Sequence, residues 1–400
     1  MNRAYVRSAV SALLAAGILL VTGSAFAQGQ PPIRVGFLSS FTGPANQSGF
    51  NGFAGAKLAV KEINDKGGVL GRQIELVQGD DASDPTQGVN AARLLVEREH
   101  IQFLLGPIAS QITLAIVPVL NDSKIAWITV TGSSAMTPQA APYHFSMLSS
   151  TDIQAEFHAQ YLERIAKSKS VAIIHDPGSQ NLAIVAGLRR ELAARNLKIA
   201  GIETYEITAT DMTPQLLTLR RANPDILLLL SGTGNDTGYI LKNKQELGWD
   251  LRVAGATAVI AQPGVTMKIA GPGAYKDVVG VNYLSQTYCA NDPLGQGDYA
   301  KFKERLQAYD PANYTKYSPL VVAYIYDAAY AMKAAMEGAK SIDGAAVAAW
   351  LEQNAPKVKV VNGFLSASKT SHFLIGASAM TMAENPDKPR ADGLMKRAGC

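Results

Sequence analysis

Cysteine is nearly missing from this 400-residue chain, occurring only at Cys289 and Cys400. Two cysteines cannot make a disulfide-stapled mini-fold or a thiolate metal cluster, so stability has to come from a buried core. In an exported chain the two could pair, but Cys400 is the last residue, where chain order is weakest, and free thiols are the expectation. Histidine is sparse as well. His100, His144, His158, His175 and His372 form no H-E-x-x-H pair and no grouping with cysteine, so no metal is expected. Charge of one sign is not in excess, with 37 basic and 33 acidic residues. Basic residues do not cluster with aromatics, which argues against nucleic acid as a partner.

Long apolar runs are also scarce. One, at residues 9–21, follows Arg3 and Arg7 and ends in Ala25-Phe26-Ala27. It is too short for a membrane span and reads as a secretory signal peptide over residues 1–27. Gln28 follows the expected cut, so no cysteine is offered there for a lipid. The mature chain is expected to be exported and free in solution. At roughly 150 residues per domain, the remaining length suggests two domains.

Several motifs raise chemistry and then fail to support it. "LLLLSGTGNDTG", residues 227–238, runs a saturated strand into a glycine-rich turn, but its third glycine comes one residue late for a dinucleotide loop. The next strand, "RVAGAT", ends in small neutral residues where a ribose-binding acid belongs. A tight turn capped by Asn235 or Asp236 is the plainer reading. "GDDASDP", residues 79–85, holds three carboxylates without the glycine and glutamate of a calcium loop. Asp84 before Pro85 reads instead as a helix cap. No G-x-S-x-G elbow is present. Tyr317, Tyr324, Tyr326 and Tyr330 read as core packing.

From Ile33 onward, short β-rich runs alternate with helical patterns: "IRVGFLS", a helix through Phe53, Ala56, Val60 and Ile63, "RQIELVQ", a helix from Pro85, "IQFLL", a helix after Ser110, and "AWITV". After a polar stretch the alternation restarts with "VAIIH", "IAGIETYEI", "DILLLL" and "RVAGA". Three helical stretches follow, at 298–309, 318–337 and 342–354, and "GFLSAS" with "HFLIGASAMTM" reads as a strand pair. The fold class is therefore α/β: two doubly wound parallel-sheet lobes joined by a multi-strand hinge near Phe145, Val281 and Val361. The expected division is 33–146 plus 282–358 for lobe 1, 147–281 plus 359–385 for lobe 2, and 386–400 as a tail. Ligands of such sheets bind outside the carboxyl ends of the strands, here a cleft between lobes. Hydroxyls at Ser110, Thr131 and Ser133 sit where first-lobe strands end, beside helix N-termini able to hold a carboxylate.

Together "FTGPANQSG", "GAKLAVKEINDKGGVLGRQIELV", "DDASDPTQGVNAARLL", "LLGPIAS", "WITVTGSSAMT", "VAIIHD" and "PDILLLLSG" resemble the branched-chain amino-acid (Leu/Ile/Val) binding proteins of bacterial ABC transporters, on the type I periplasmic binding fold. The resemblance covers nearly the whole mature chain. It implies a solute-binding protein with no chemistry and no cofactor, which passes a small-molecule ligand to an inner-membrane ABC permease. It further implies that Ser110, Thr131 and Ser133 hold the ligand's carboxylate. The family's other ligand positions fall on residues of different chemistry. A first-loop tyrosine falls on Ser48, a second-lobe tyrosine on Gln180, the glycine-loop tyrosine on Thr233, and the glutamate that pairs with the ammonium on Thr257. An ammonium buried without a counter-charge is costly. The expected ligand is therefore amino-acid-like or a related small carboxylate or amide, with Asp236 or Glu206 as an alternative source of the missing charge. A ligand sensor of the same fold acting on a receptor is the rival reading; a secreted α/β enzyme has no nucleophile, metal or cofactor loop to support it.

Overall fold

The computed structural model describes residues 30–400, and the expected signal peptide lies outside the described residues. In chain order the first half comprises β1 (Ile33–Ser39), α1 (Asn46–Asp65), β2 (Ile74–Asp80), α2 (Pro85–Glu97), β3 (Phe103–Leu105), α3 (Ser110–Ser123), β4 (Ala126–Thr129) and β5 (His144–Ser146). These five strands form one all-parallel sheet in the order β2-β1-β3-β4-β5. Both faces of such a sheet are covered, so β3 and β4 are fully buried, apolar but for Thr129, whose hydroxyl meets His144 Nε2 at 2.7 Å. Helix α1 ends where expected. Gly68 takes a positive φ of 80° and donates its amide to Ile63 O at 2.9 Å, closing the last turn. Asp84 caps α2 by accepting from Gln87 N at 2.9 Å, with Pro85 in the first helical position. Asp80 and Asp81 fix the loop after β1 through Phe41 N and Ser40 Oγ, a structural role.

The chain then builds α4 (Thr151–Arg164), β6 (Ser170–His175), α5 (Ser179–Ala194), β7 (Lys198–Thr204), α6 (Thr213–Arg221), β8 (Ile226–Leu230), α7 (Gly234–Glu246), β9 (Val253–Gly255), α8 (Thr257–Ala261), α9 (Pro263–Ala270), β10 (Val278–Tyr283) and β11 (Thr287–Tyr288). It closes with α10 (Asp298–Tyr309), α11 (Pro319–Ala339), α12 (Gly344–Asn354), β12 (Lys359–Val360), β13 (Gly363–Phe364), β14 (Met380–Glu384) and β15 (Met395–Arg397). The second sheet runs β11-β15-β14-β10-β9-β8-β6-β7. Its β6 to β10 core is parallel, and β14 adds antiparallel to β10. Two sheets of this kind make the two doubly wound lobes that the sequence pattern implies.

Helices α11 and α12 return to the first sheet. Helix α11 packs on α1 so closely that a Cβ at Gly55 would stand 2.3 Å from Val322 O. The segments that pass between the sheets are laced together. Leu374 N donates to Ser146 O at 2.7 Å, and Tyr283 Oη points to Met147 O at 3.4 Å. Gln286 Nε2 donates to Asn362 Oδ1 at 2.6 Å. Asp327 of α11, fully buried, accepts from Val361 N and Asn362 N, each at 2.9 Å, and so ties one of these segments to the first sheet.

Three details differ from the sequence reading. Cys289 and Cys400 are joined in a disulfide and are not free thiols. The β11 to β15 pairing brings them to a Cα separation of 5.5 Å, a closeness that residues 111 apart in sequence do not announce. The tail at 386–400 is accordingly no separate segment, because β15 takes a place inside the second sheet. Finally, "GFLSAS" meets the segment after it only in a short antiparallel contact, a bridge between Ser368 and Ser371 and a bond from Ser366 N to Leu374 O at 2.7 Å; the longer pairings are β13 with β12 and β14 with β10. The alternation was visible in the sequence; which distant strand each would meet was not.

Candidate functional site

The parallel strands of each sheet reverse their order once, between β1 and β3 in the first and between β6 and β8 in the second. Loops diverge at such points and leave a crevice outside the strand ends. Loops from both reversals line one cavity of about 450 Å³. The first sheet contributes Ser110 after β3; the second contributes Asp176 after β6 and Gly232 after β8.

The wall is built largely from helix beginnings. Ser110 and Gln111 open α3, Ser179 and Gln180 open α5, and no side chain caps either helix. The first amides of a helix lack partners within the helix and carry the positive end of its dipole. Among the described residues lining the cavity none is a lysine or arginine, and Asp176 is the only carboxylate. What positive potential the cavity has therefore comes from backbone. Ile108, Val130, Leu148 and Leu320 give it an apolar wall.

The expected ligand positions divide into two groups. Ser48, Ser110, Gln180 and Thr257 line the cavity, whereas Thr131, Ser133 and Thr233 do not. Thr131 lies one layer behind. Fully buried, it donates from Oγ1 to Ser110 Oγ at 2.7 Å and accepts the Ser133 amide at 3.4 Å. Its own backbone is held by Ser146 Oγ, which donates to Thr131 O at 2.5 Å. Gln180 of α5 reaches across to the first sheet's loop: a Cβ at Gly132 would lie 3.1 Å from its Nε2. Thr233 is exposed and caps α7 by accepting from Asp236 N at 3.2 Å. It is the cap of the glycine-rich turn, in place of the Asn235 or Asp236 read from sequence.

That turn has its own steric logic. A Cβ at Gly232 would come within 2.9 Å of Asp176 Oδ2, and one at Gly234 within 2.8 Å of the Gln262 Cβ. The glycines let the turn close over the Asp176 carboxylate instead of over a phosphate.

Asp176 is the residue the sequence reading passed over. It is 4% exposed; its Oδ1 accepts Gly178 N at 2.8 Å and its Oδ2 accepts Asn181 Nδ2 at 2.9 Å. Burial pushes its carboxyl above the usual range, and these donors pull it partly back. The two acids named as alternatives stand elsewhere. Glu206 is exposed, and Asp236, buried near Tyr205 Oη at 3.4 Å, does not line the cavity. An acid at the carboxyl end of a strand beside a strand-order reversal was the available signal, legible in "VAIIHD".

Comparison with known proteins agrees with this architecture. The family model described as periplasmic binding protein matches residues 32–388. An amino acid binding protein of Pseudomonas aeruginosa is 26% identical over 358 residues, covering 88% of this chain and 90% of the relative. The Leu/Ile/Val-binding protein BraC3 of Rhizobium johnstonii is 31% identical over 224 residues, 56% of this chain; the match spans only 60% of that relative. A periplasmic binding protein type 1 from Bordetella pertussis superposes with a TM-score of 0.74 at 26% identity, covering 88% of this chain and 96% of that one. A solute binding protein of an ABC transporter from Rhodopseudomonas palustris, in complex with 4-hydroxybenzoate, superposes with a TM-score of 0.75 at 17% identity, covering 91% and 95%.

Proposed function

This chain belongs to the periplasmic binding protein family, and from that premise we propose that it captures a small carboxylate, amino-acid-like or simpler, between its lobes in the periplasm and delivers it to an inner-membrane ABC permease. The observation that carries the reading is the convergence of two uncapped helix N-termini, α3 and α5, one from each lobe, on a cavity without lysine or arginine. Such amides hold an anion without a cationic side chain. Ser110, oriented by Thr131, is the hydroxyl that meets the acid group, and Ser133 supports that loop from behind. Ser48, Gln180 and Thr257 complete the wall. Thr233 shapes the second-lobe turn and does not touch the ligand. The lobes are residues 33–146 with the returning helices α11 and α12, and residues 147–288 with strands β14 and β15, hinged at the laced segments near Ser146, Tyr283 and Asn362. Closure about that hinge is the whole of the mechanism.

Two ligand classes fit, and Asp176 separates them. An α-amino acid would set its ammonium against the Asp176 carboxylate, while a simple aromatic or aliphatic acid would not need it. The relatives that bind amino acids and the neighbour that holds 4-hydroxybenzoate mark the same two classes. Isothermal titration of the mature protein with a panel of amino acids, simple acids and their amides tests the reading. Carboxylates should bind with micromolar affinity, about −8 kcal/mol. Binding of the amides with none of the acids would refute it. Loss of uptake of the bound solute on deletion of the gene tests delivery.

A further inference from the structure

Among the described residues, the inter-lobe cavity is lined by one carboxylate, no lysine or arginine, and five carboxamides: Gln111, Gln154, Gln180, Asn181 and Gln262. An anion held on helix N-termini needs none of these amides. Two of them stand together. Gln154 Nε2 and Gln180 Nε2 lie 2.9 and 3.1 Å from the place that a Gly132 Cβ would take, so any side chain there would strike both. Glycine at this position leaves the pair its room.

Gln154 belongs to α4 and is 7% exposed; its Nε2 donates to Ser149 O at 2.9 Å. A carbonyl oxygen only accepts, so the arm of the amide facing Ser149 is the NH2 and the other arm is the oxygen. That oxygen accepts from none of the described residues. Nor is it sealed in like the orphaned polar atoms of the core, such as those of His158; the open space it meets is the cavity that Gln154 lines. Gln180, half-buried in the first turn of α5, hydrogen-bonds to none of the described residues through either arm.

A buried amide that spends one arm on the fold and leaves the other open carries a desolvation cost that an apolar side chain would not. Together the two glutamines offer two accepting oxygens and a donating NH2. A second carboxylate on the ligand would share the cavity with Asp176 and find no cation. An apolar group would leave the amides unpaired. A group that donates and accepts without charge satisfies them.

We propose that Gln154 and Gln180 are specificity-determining residues, and that the natural ligand carries, besides its acid group, an uncharged carboxamide or hydroxyl bound by these two amides. This rests on the carboxylate reading of the cavity and adds to it the second half of the ligand's chemistry.

Acids matched in shape test it: succinamate against 4-methylpentanoate, asparagine against leucine, and 4-hydroxybenzoate against 4-methylbenzoate. Each pair exchanges the polar group for methyl groups of similar volume. Affinities are measured by titration for wild type, Q180L, Q154M and S110A, and each variant is melted without ligand. Wild type should favour the polar member of at least one pair by about tenfold, the order that one or two hydrogen bonds contribute. Q180L removes no bond within the protein, so it should melt with wild type and abolish that preference. Q154M should abolish it too, whatever stability it loses with the Ser149 bond. S110A should weaken both members and keep their ratio. If wild type binds the members of every pair alike, or either glutamine variant keeps the preference, the proposal is overturned; S110A weakening all the acids would then leave the carboxylate reading standing. If no acid binds wild type at all, the carboxylate reading fails and the proposal with it.

Discussion

Thr131 Oγ1 donates to Ser110 Oγ at 2.7 Å, so a threonine that never reaches the cavity sets the direction of the serine that does. The Ser110 hydroxyl, accepting from behind, is left with its proton to point forward. S110A should weaken carboxylate binding by about tenfold, and T131V by a smaller, few-fold factor, since the serine survives but is no longer held. Titration of both variants checks this. Equal affinity of T131V and wild type would break the link between the two residues.

Asp176 divides ligands by charge. D176N should lower affinity for any ligand with an α-ammonium by tenfold or more and leave simple carboxylates unchanged or tighter, because the like charge is gone. G232A should imitate part of this effect: its Cβ would come to 2.9 Å from Asp176 Oδ2 and displace the carboxylate. Titrations with one amino acid and its deaminated analogue read the difference directly.

The hinge anchor gives a pH dependence. Burial pushes Asp327 up to about 7, against the ordinary carboxylate range, despite its donors at Val361, Asn362 and the Asn362 side chain. A carboxyl protonated in the fold and ionised in the unfolded chain stabilises the fold at low pH and loses that contribution as pH rises to about 7. D327N has no such titration. It should be less stable than wild type at pH ~5, with the gap narrowing by pH ~8. Paired melts at the two pH values check this, and a gap that widens would show that Asp327 is ionised throughout.

The disulfide closes a loop of 111 residues around α10 to α12 and the last strands. The chain-entropy model gives about 4–5 kcal/mol for a loop of this size, and native bridges deliver about 2–5. C400S, or reduction of wild type, should lower Tm by roughly 3–6 °C. Ligand affinity should stay within about twofold of wild type, since neither cysteine lines the cavity. Calorimetry with and without reductant separates the two readouts.

Much of this is legible in the amino-acid sequence. Saturated apolar runs such as "DILLLL" and helical spacing such as Phe53, Ala56, Val60 and Ile63 report local burial, which the sequence encodes residue by residue. Ser48, Gln180 and Thr257 could be placed only through the family resemblance, and Ser110 also by its place at the start of a helix after a strand. Thr131 could be found but not ranked, since a hydroxyl that lines a cavity and one that supports it from behind have the same letter code. Asp176 was harder. It looks structural in its own segment, and its meaning comes from elements far away in the chain that close the cavity around it. The Cys289–Cys400 bridge depends in the same way on β11 meeting β15.

The placing of β14 beside β10 bears on how such a chain is made. Strand β10 ends at Tyr283 and its antiparallel neighbour begins at Met380, so about a hundred residues must emerge before that edge is covered. Until then a growing or truncated chain carries an open row of amides and carbonyls, the template on which strands of separate molecules pair. A nascent chain with this topology must be kept apart from its copies until its final strands arrive, and fragments that stop short of Met380 should aggregate.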